Sequence, residues 1–263
     1  MLKKFIAVFA ALIILIPAGV QAGGTFPFML SNDTLFVGTN KINDPPFYKY
    51  NGTNYVPLRA VSEKLGLSVG YDSGTITIDK GKPDIEKLKQ SCVMVQTDKG
   101  SGSGVVIDYG KVLTCHHVME GQHINRVTWN DGKQEDNLSI VKDVESVDAA
   151  VLKSKNKDIK PVKIGDSDEL KVGDKVYVVS CPKAKRNVVT EGKVIESRSR
   201  EITFEDSSKL YVNIIDAHTE LGSSGGAVFD SSGSLIGMIE GSNEVVKNAF
   251  SIPIDDIRKS ISD

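Results

Sequence analysis

The chain has 263 residues, with 32 lysine and arginine side chains against 34 aspartate and glutamate side chains, and a formal net charge of −2 at pH 7. The charges are interspersed and no basic stripe with interleaved aromatic residues occurs, so the composition argues against a nucleic-acid partner and leaves proteins and small molecules. The length exceeds that of a usual single domain, which favours two domains once any targeting segment is removed.

The chain opens with the layout of a secretory signal peptide. Lys3 and Lys4 precede an apolar run from Phe5 to Ile16, and the small residue Ala22 occupies the expected cleavage position. The run is shorter than the roughly 20 apolar residues of a membrane-spanning helix, so cleavage after Ala22 is favoured over an uncleaved anchor. The mature protein is therefore expected to be secreted, or to lie outside the cytoplasm in a bacterial cell envelope.

Short β-like runs and one helical segment occupy residues 25–79. Pro57 suits the first turn of a helix, and Leu58, Val61 and Leu65 recur on one face of it, which predicts a small α+β domain. The segment NGTNYVPLRAVSEKLGLSVGYDSGTITI resembles the N-terminal domain of copper amine oxidases, found in many exported bacterial proteins. The resemblance implies a spacer or binding module with a possible cell-envelope ligand, rather than copper chemistry.

The segment Lys80-Gly81-Lys82-Pro83 predicts a linker, because glycine and proline interrupt regular structure and lysine keeps the chain solvated. From residue 84 the chain becomes a series of short β-like runs, such as CVMVQT, GVVID, KVYVV and SLIGMIE, separated by turn residues. This spacing predicts an all-β sandwich or barrel. Near the C-terminus, Ile254, Ile257 and Ile261 fall on one side of a predicted helix that would pack against the strands.

Three short patterns carry residues suited to nucleophilic catalysis. The turn GSSGG holds Ser224 where glycines leave it unobstructed, and the amides of Gly222 and Ser224 would form an oxyanion hole. The run KVLTCHHVM ends in His116 and His117, where a base could be held beside a cleft, and Asp148 heads the apolar run AAVLK. Each pattern alone is weak, since glycine- and serine-rich strings are commonly plain loops. The string GSGSG at residues 100–104 is expected to be such a loop.

The order of the three patterns, His then Asp then Ser, is that of chymotrypsin-type barrels and differs from subtilisin and the α/β-hydrolases. Residues from about 90 to 258 resemble the trypsin-like protease domain of the bacterial HtrA/DegP group, in GSGSGVVID, VLTCHHV, DAAVLK, GDKVYVVSCP, GSSGGAVFD, GSLIGMI and FSIPIDDI. The resemblance implies a mainly β, chymotrypsin-like double β-barrel with a C-terminal helix, preceded by the small α+β domain. The expected organisation is a signal peptide at 1–22, a copper amine oxidase N-terminal-like domain at 23–80 and a protease domain at 84–263.

The same resemblance implies the roles of the site residues. It assigns the base to His117, the acid to Asp148 and the nucleophile to Ser224, with the oxyanion hole at Gly222 and Ser224. The implied reaction is hydrolysis of protein or peptide substrates through an acyl-enzyme, for which no cofactor is required.

Substrate specificity is less readable from the sequence. His218 lies six residues before Ser224, where this fold commonly has its pocket floor, and Glu240 lies in the run that follows the nucleophile. A histidine would favour acidic substrate side chains and a glutamate basic ones, but both residues could equally point to solvent. Two other functions stay open: a catalytically silent protease-fold module for binding or sensing, joined to an envelope-binding domain, and a wall-attachment protein that acts through residues 25–80.

Cys92, Cys115 and Cys181 each lie in or beside an apolar β-run, as small buried hydrophobic residues do. No disulfide is therefore expected to be needed, and Cys92 with Cys115 would be the first pair to suspect. The CxxC spacing of zinc sites is absent, and Cys115-His116-His117 lacks a fourth ligand in the sequence, so no metal site is expected.

Overall fold

A computed structural model describes residues 29–37, 40–42, 46–65, 67–122, 125–203, 209–243 and 248–262. The expected signal peptide lies outside these residues. The chain forms two compact units, and the boundary between them follows Leu65. None of the helices in the described ranges is long and apolar enough to cross a membrane.

The first unit is a small α+β structure. Its elements are β1 (Met29–Leu30), β2 (Leu35–Val37), β3 (Asn40–Ile42), β4 (Tyr48–Tyr50), β5 (Thr53–Tyr55) and α1 (Leu58–Lys64). Strands β1, β4 and β5 form one antiparallel sheet, and β2 pairs with β3. Pro57 occupies the position just before the first turn of α1, and of the predicted apolar face only Val61 is buried.

The second unit begins with a β-hairpin and a short helix. They are β6 (Leu67–Asp72), β7 (Thr75–Lys80) and α2 (Ile85–Gln90). Ser73 and Gly74 both have positive φ angles, 47° and 86°, as a two-residue type I′ turn between twisted strands requires. The Asp84 side chain caps α2 by accepting a hydrogen bond from the Lys87 amide at 3.1 Å. In the stretch predicted as a linker, Lys82 forms an ion pair with Glu191.

Seven antiparallel strands form the first large sheet of this unit. They are β8 (Cys92–Thr97), β9 (Ser101–Asp108), β10 (Lys111–Thr114), β11 (Asn125–Thr128), β12 (Gln134–Asp136), β13 (Ser139–Val144) and β14 (Ala149–Lys153). Their order is β12-β11-β8-β9-β10-β14-β13. A single-turn helix, α3 (His116–Met119), follows β10. The expectation of a plain loop at 100–104 is wrong, because most of that string pairs with β8 as the start of β9.

The second large sheet closes on itself. Its strands are β15 (Lys163–Ile164), β16 (Lys175–Ser180), β17 (Val188–Thr203), β18 (Lys209–Ile215), β19 (Ala227–Asp230), β20 (Ser234–Asn243) and β21 (Asn248–Pro253). Because β20 pairs with both β19 and β21, six strands form a closed barrel, and β15 adds to β20 in parallel. Helix α4 (Ile254–Ser262) follows β21. It buries Ile254 and Ile257, and Ile261 packs against the hydrophobic cluster to which they belong.

One apolar cluster joins the two large sheets. It combines Leu113 and Val151 of the first sheet with Phe229 and Met238 of the second and with Ile257 of α4. Each such side chain contributes roughly 1.5–3 kcal/mol when it is removed from water. This core holds the ends of β10, β14, β19 and β20 in fixed positions beside one another. The architecture confirms the predicted mainly β fold class with a C-terminal helix.

Candidate active site

His117 and Asp148 form a double hydrogen bond. The Asp148 Oδ1 atom accepts from the His117 amide at 2.9 Å, and Oδ2 lies 2.8 Å from His117 Nδ1. The side chain of Asp148 is 3% exposed, whereas that of His117 is 42% exposed. A buried carboxylate therefore fixes both the backbone and the ring of His117. With the Nδ1 proton held by the carboxylate, the neutral imidazole offers Nε2 as a base.

The backbone of Asp148 explains how its side chain reaches the histidine. A 3₁₀ turn at Glu145–Val147 ends at Asp148, which adopts a left-handed conformation with φ 43° and ψ 48° before β14 begins. This region is uncommon outside glycine, although aspartate tolerates it better than most residues. Such conformations are maintained where surrounding contacts fix them, and here the contacts are the two hydrogen bonds to His117.

The charge environment favours a protonatable His117. Burial lowers the pKa of this imidazole, but the hydrogen bond to Asp148 and the charges of Asp148, Glu240 and Glu120 outweigh burial, so the net pKa is raised. Glu240 is half-buried beside the pair. Burial raises the pKa of its carboxyl group, the charge of Asp148 raises it further, and His117 partly offsets both.

Ser224 lies in a tight loop between two glycines with positive φ, Gly222 at 92° and Gly225 at 82°. At Gly225 a Cβ atom would lie 2.1 Å from the carbonyl oxygen of Ser103, so only glycine fits. The Ser103 amide donates to the Ser224 carbonyl at 2.7 Å, and the Ser103 hydroxyl donates to the Gly222 carbonyl at 2.8 Å. Strand β9 of the first sheet thus anchors the loop that carries the serine of the second.

Two backbone amides in this loop are available to a ligand. Within the described part of the chain, neither the Gly222 nor the Ser224 amide donates a hydrogen bond. The carbonyl of Leu221, which precedes them, accepts from the Lys183 amide at 2.8 Å. This arrangement suits an oxyanion hole, in which preorganised N–H groups stabilise a developing negative charge.

The serine hydroxyl is engaged elsewhere in this structure. Ser224 Oγ donates to the Glu240 carbonyl oxygen at 3.0 Å, and among the described residues it makes no hydrogen bond to His117. The two segments nevertheless meet at Gly102. A Cβ atom there would lie 2.8 Å from Val118, the neighbour of His117, and 3.1 Å from the Ser224 carbonyl oxygen. The structure therefore joins the predicted base and acid directly and brings the predicted nucleophile close to Val118, the neighbour of the predicted base.

His116, His218 and Glu240 lie in different surroundings. His116 turns away from Asp148, because its Nδ1 atom lies 2.6 Å from Asp143 Oδ1. His218 is 61% exposed, with Nε2 3.9 Å from Glu220 Oε1. Glu240 lies beside His117 and Asp148, as described above. Their contribution to substrate choice stays a prediction.

Ser103 is the residue that sequence reasoning missed. It is 1% exposed, and besides its bond to Gly222 its hydroxyl oxygen accepts from the Cys181 amide at 2.8 Å. The available signal was that GSGSG runs directly into the apolar VVID, as the start of a strand does. Its partners lie 119 and 78 residues away in the chain, so no local pattern identifies them.

Two family models match the chain. A family model described as a trypsin-like peptidase domain matches residues 102–238, just over half of the chain, and one described as the copper amine oxidase N-terminal domain matches residues 35–115. Both resemblances inferred from the sequence are confirmed.

Individual relatives are proteases. A serine protease HtrA-like protein of Staphylococcus epidermidis is 28% identical over 255 residues, covering 90% of this chain and 42% of the relative. A probable periplasmic serine protease do/HhoA-like of Haemophilus influenzae is 36% identical over 163 residues, covering 59% of this chain and 34% of the relative. The chain thus spans less than half the length of either.

A solved structure, the HtrA-type protease AlgW with decapeptide, shares the fold, with a TM-score of 0.61 and 21% identity over 68% of this chain and 65% of that chain. The family match, the barrel architecture and the serine protease relatives lead to one assignment. The chain belongs to the trypsin-like peptidase family and is similar to the HtrA-like serine proteases.

Proposed function

We propose that the chain is an exported serine endopeptidase in which His117, Asp148 and Ser224 form the catalytic triad. The observation that carries the proposal is the buried Asp148 carboxylate, which binds the amide and ring of His117 beside a glycine-flanked serine. The unengaged amides of Gly222 and Ser224 supply the oxyanion hole. Charge stabilisation of this kind is commonly the largest contribution to such catalysis.

The reaction proceeds in two halves. The Ser224 hydroxyl leaves the Glu240 carbonyl and turns to His117 Nε2, which takes its proton as Oγ attacks the peptide carbonyl carbon. Asp148 holds the imidazole in the required tautomer and stabilises the imidazolium, while the two amides bind the oxyanion. His117 then gives its proton to the leaving amine. His117 next takes a proton from a water molecule as that water attacks the acyl carbon, and it passes this proton to Ser224 Oγ as the ester bond breaks.

Several observations support export and a peptide substrate. Residues 1–22 have a signal peptide layout, and a relative from Haemophilus influenzae is named as probably periplasmic. The AlgW structure was obtained with a decapeptide. We extend the proposal to the domain organisation, with residues 23–80 as an envelope-binding or spacer domain and 84–263 as the protease. His218 and Glu240 remain our candidates for substrate pocket residues.

Labelling with a fluorophosphonate probe tests the proposal. The parent should be labelled covalently at one serine, because such probes react with serines activated by a base. Ser224→Ala should lose the label, and Ser223→Ala, altered at the neighbouring position, should keep it. A folded parent that neither takes the label nor cleaves an unstructured peptide would support the silent binding module instead.

A further inference from the structure

Cys115 lies behind the proposed acid and base but has no part in the mechanism. Its side chain is fully buried, and its thiol donates to the Ile239 carbonyl at 3.3 Å. A ring nitrogen of His117, a carboxylate oxygen of Asp148 and the Cys115 sulfur all lie within 4.8 Å of one another. Three different kinds of metal ligand therefore converge on one point.

The ligand set matches the preferences of a thiophilic divalent cation. Zinc binds thiolate sulfur at about 2.3 Å and imidazole nitrogen or carboxylate oxygen at about 2.0–2.2 Å, which leaves ligand atoms roughly 3–4 Å apart around a tetrahedral ion. His117 Nδ1 and Asp148 Oδ2 are already 2.8 Å apart. Shifts on the order of 1 Å would let all three atoms bind one ion. The half-exposed imidazole gives the ion a route from solvent.

In the structure, Asp148 takes the place of His116 among the three candidate ligands. His116, the neighbour of Cys115 in the chain, is engaged by Asp143. Asp148, which is 31 residues from His117 in the chain, contributes the third candidate ligand atom instead. Local charge also favours a cation, because the half-buried Glu240 carboxyl group interacts electrostatically with Cys115, His117 and Asp148. A bound cation would relieve the repulsion between Asp148 and Glu240.

We propose that Cys115, His117 and Asp148 form an inhibitory site for a thiophilic divalent cation, with Zn²⁺ as the representative ion. Binding displaces the Cys115 thiol proton, which passes to water, and the proton on His117 Nδ1 moves through water to Nε2, so that the ring binds the ion as a neutral imidazole. The thiolate, the imidazole and the carboxylate hold the ion, and a water completes the tetrahedron, without oxidation or reduction. The inhibitory consequence rests on the proposed function, since His117 and Asp148 then no longer act on Ser224.

Binding is measured first, on the full chain carrying Ser224→Ala, so that the readout does not depend on hydrolysis. Isothermal titration with Zn²⁺ should give one site in this background. Adding Cys115→Ala should weaken that site by more than about 100-fold, as loss of a direct ligand exceeds the 10–100-fold typical of outer contacts. Cys92→Ala is the matched control, since Cys92 is an equally buried free thiol, and it should bind like the parent.

Co²⁺ provides a readout that needs no cysteine variant. On the same background, a thiolate-to-cobalt charge-transfer absorption should appear with one equivalent of the ion and disappear on adding Zn²⁺. Failure of Co²⁺ to give this band, or Zn²⁺ binding that Cys115→Ala leaves unchanged, would overturn the site.

Activity is measured second, on the chain with Ser224 intact. Zn²⁺ should inhibit peptide hydrolysis, EDTA should reverse the inhibition, and Cys115→Ala should need more than about 100-fold higher Zn²⁺ for the same fractional loss. If the chain binds Zn²⁺ through Cys115 but hydrolyses no peptide, the proposed function fails and the metal site stands. If hydrolysis is normal and Zn²⁺ binds without inhibiting, the inhibitory role fails.

Discussion

The first large sheet carries a base and an acid that are already bonded to each other, whereas the second carries a serine whose hydroxyl is bonded elsewhere. His117 lies in the single-turn helix that follows β10, and Asp148 ends the 3₁₀ turn that follows β13. Both strands belong to the first large sheet. Ser224 depends on a loop that the other sheet anchors through Ser103. The position of the acid–base pair therefore depends on turns within one sheet, whereas the position of the nucleophile depends on packing between the two sheets.

The largest expected effects come from removing a reacting group from either side. Ser224→Ala and His117→Ala should each lower kcat by about 10⁶, because nucleophile and base act as a unit, and the double variant should lose little more. The measurement is hydrolysis of an unstructured peptide by variants whose circular dichroism matches that of the parent. Normal hydrolysis by folded Ser224→Ala would remove the serine-protease assignment.

Asp148→Asn tests the hydrogen-bonded acid–base pair of the first large sheet. An amide at this position can present its NH₂ group to Nδ1 and favour the wrong imidazole tautomer, so kcat should fall by about 10⁴ while the fold persists. The same peptide assay measures the loss. If kcat changes by less than ten-fold, the hydrogen bond to Asp148 does not set the reactivity of His117.

Ser103→Ala tests whether strand β9 of the first sheet anchors the loop of the second sheet that carries Ser224. The Gly222 carbonyl and the Cys181 amide would lose a buried partner, at a cost of about 1–3 kcal/mol each in the free energy of unfolding. The oxyanion loop should loosen, and kcat should fall by about ten-fold, less than the 10²–10³ that follows removal of a donor.

Ser101→Ala is the matched control for this experiment, because it lies on the same strand and its side chain makes no hydrogen bond to the described residues. It should leave both quantities near those of the parent. Equal losses in Ser101→Ala and Ser103→Ala would mean that β9 as a whole, and not the Ser103 hydroxyl, holds the loop.

Glu240→Gln tests how the second sheet influences the base of the first. The charge of Glu240 raises the pKa of His117, so removing it should lower that pKa. Because the neutral imidazole is the base, the acidic limb of the pH–kcat/KM profile should move to lower pH. Glu120→Gln, which removes a weaker influence, should move the limb less in the same direction. A limb that moves upward in Glu240→Gln would contradict this electrostatic coupling.

His116→Ala should have the smallest effect, within about ten-fold of the parent in kcat/KM. The side chain pairs with Asp143 near the surface and contacts none of the proposed reacting groups, and pairs of that kind contribute only about 0–1 kcal/mol. Kinetic measurement beside His117→Ala decides the register. An inactive His116→Ala with an active His117→Ala would reverse the assignment of the base.

The sequence was sufficient for the fold class, because strand runs and turn residues are local signals. The choice of His117 as the base came from the family resemblance and stays a prediction. The sequence was insufficient where a residue acts through distant partners. Ser103 belongs to a string that resembles a plain loop, and its importance comes from Gly222 and Cys181 across the sheet interface. The position of Glu240 beside His117 likewise depends on how β20 closes its barrel. Neither relation leaves a trace in local composition.

Whether the three buried thiols become oxidised depends on the rate at which the protein folds. In the folded chain Cys92, Cys115 and Cys181 are free and buried, and burial raises the pKa of each, so almost no reactive thiolate is present. None of this protection exists before the sheets assemble. In an oxidising compartment, folding therefore competes with oxidation, and only chains that pack first keep their sulfur atoms reduced.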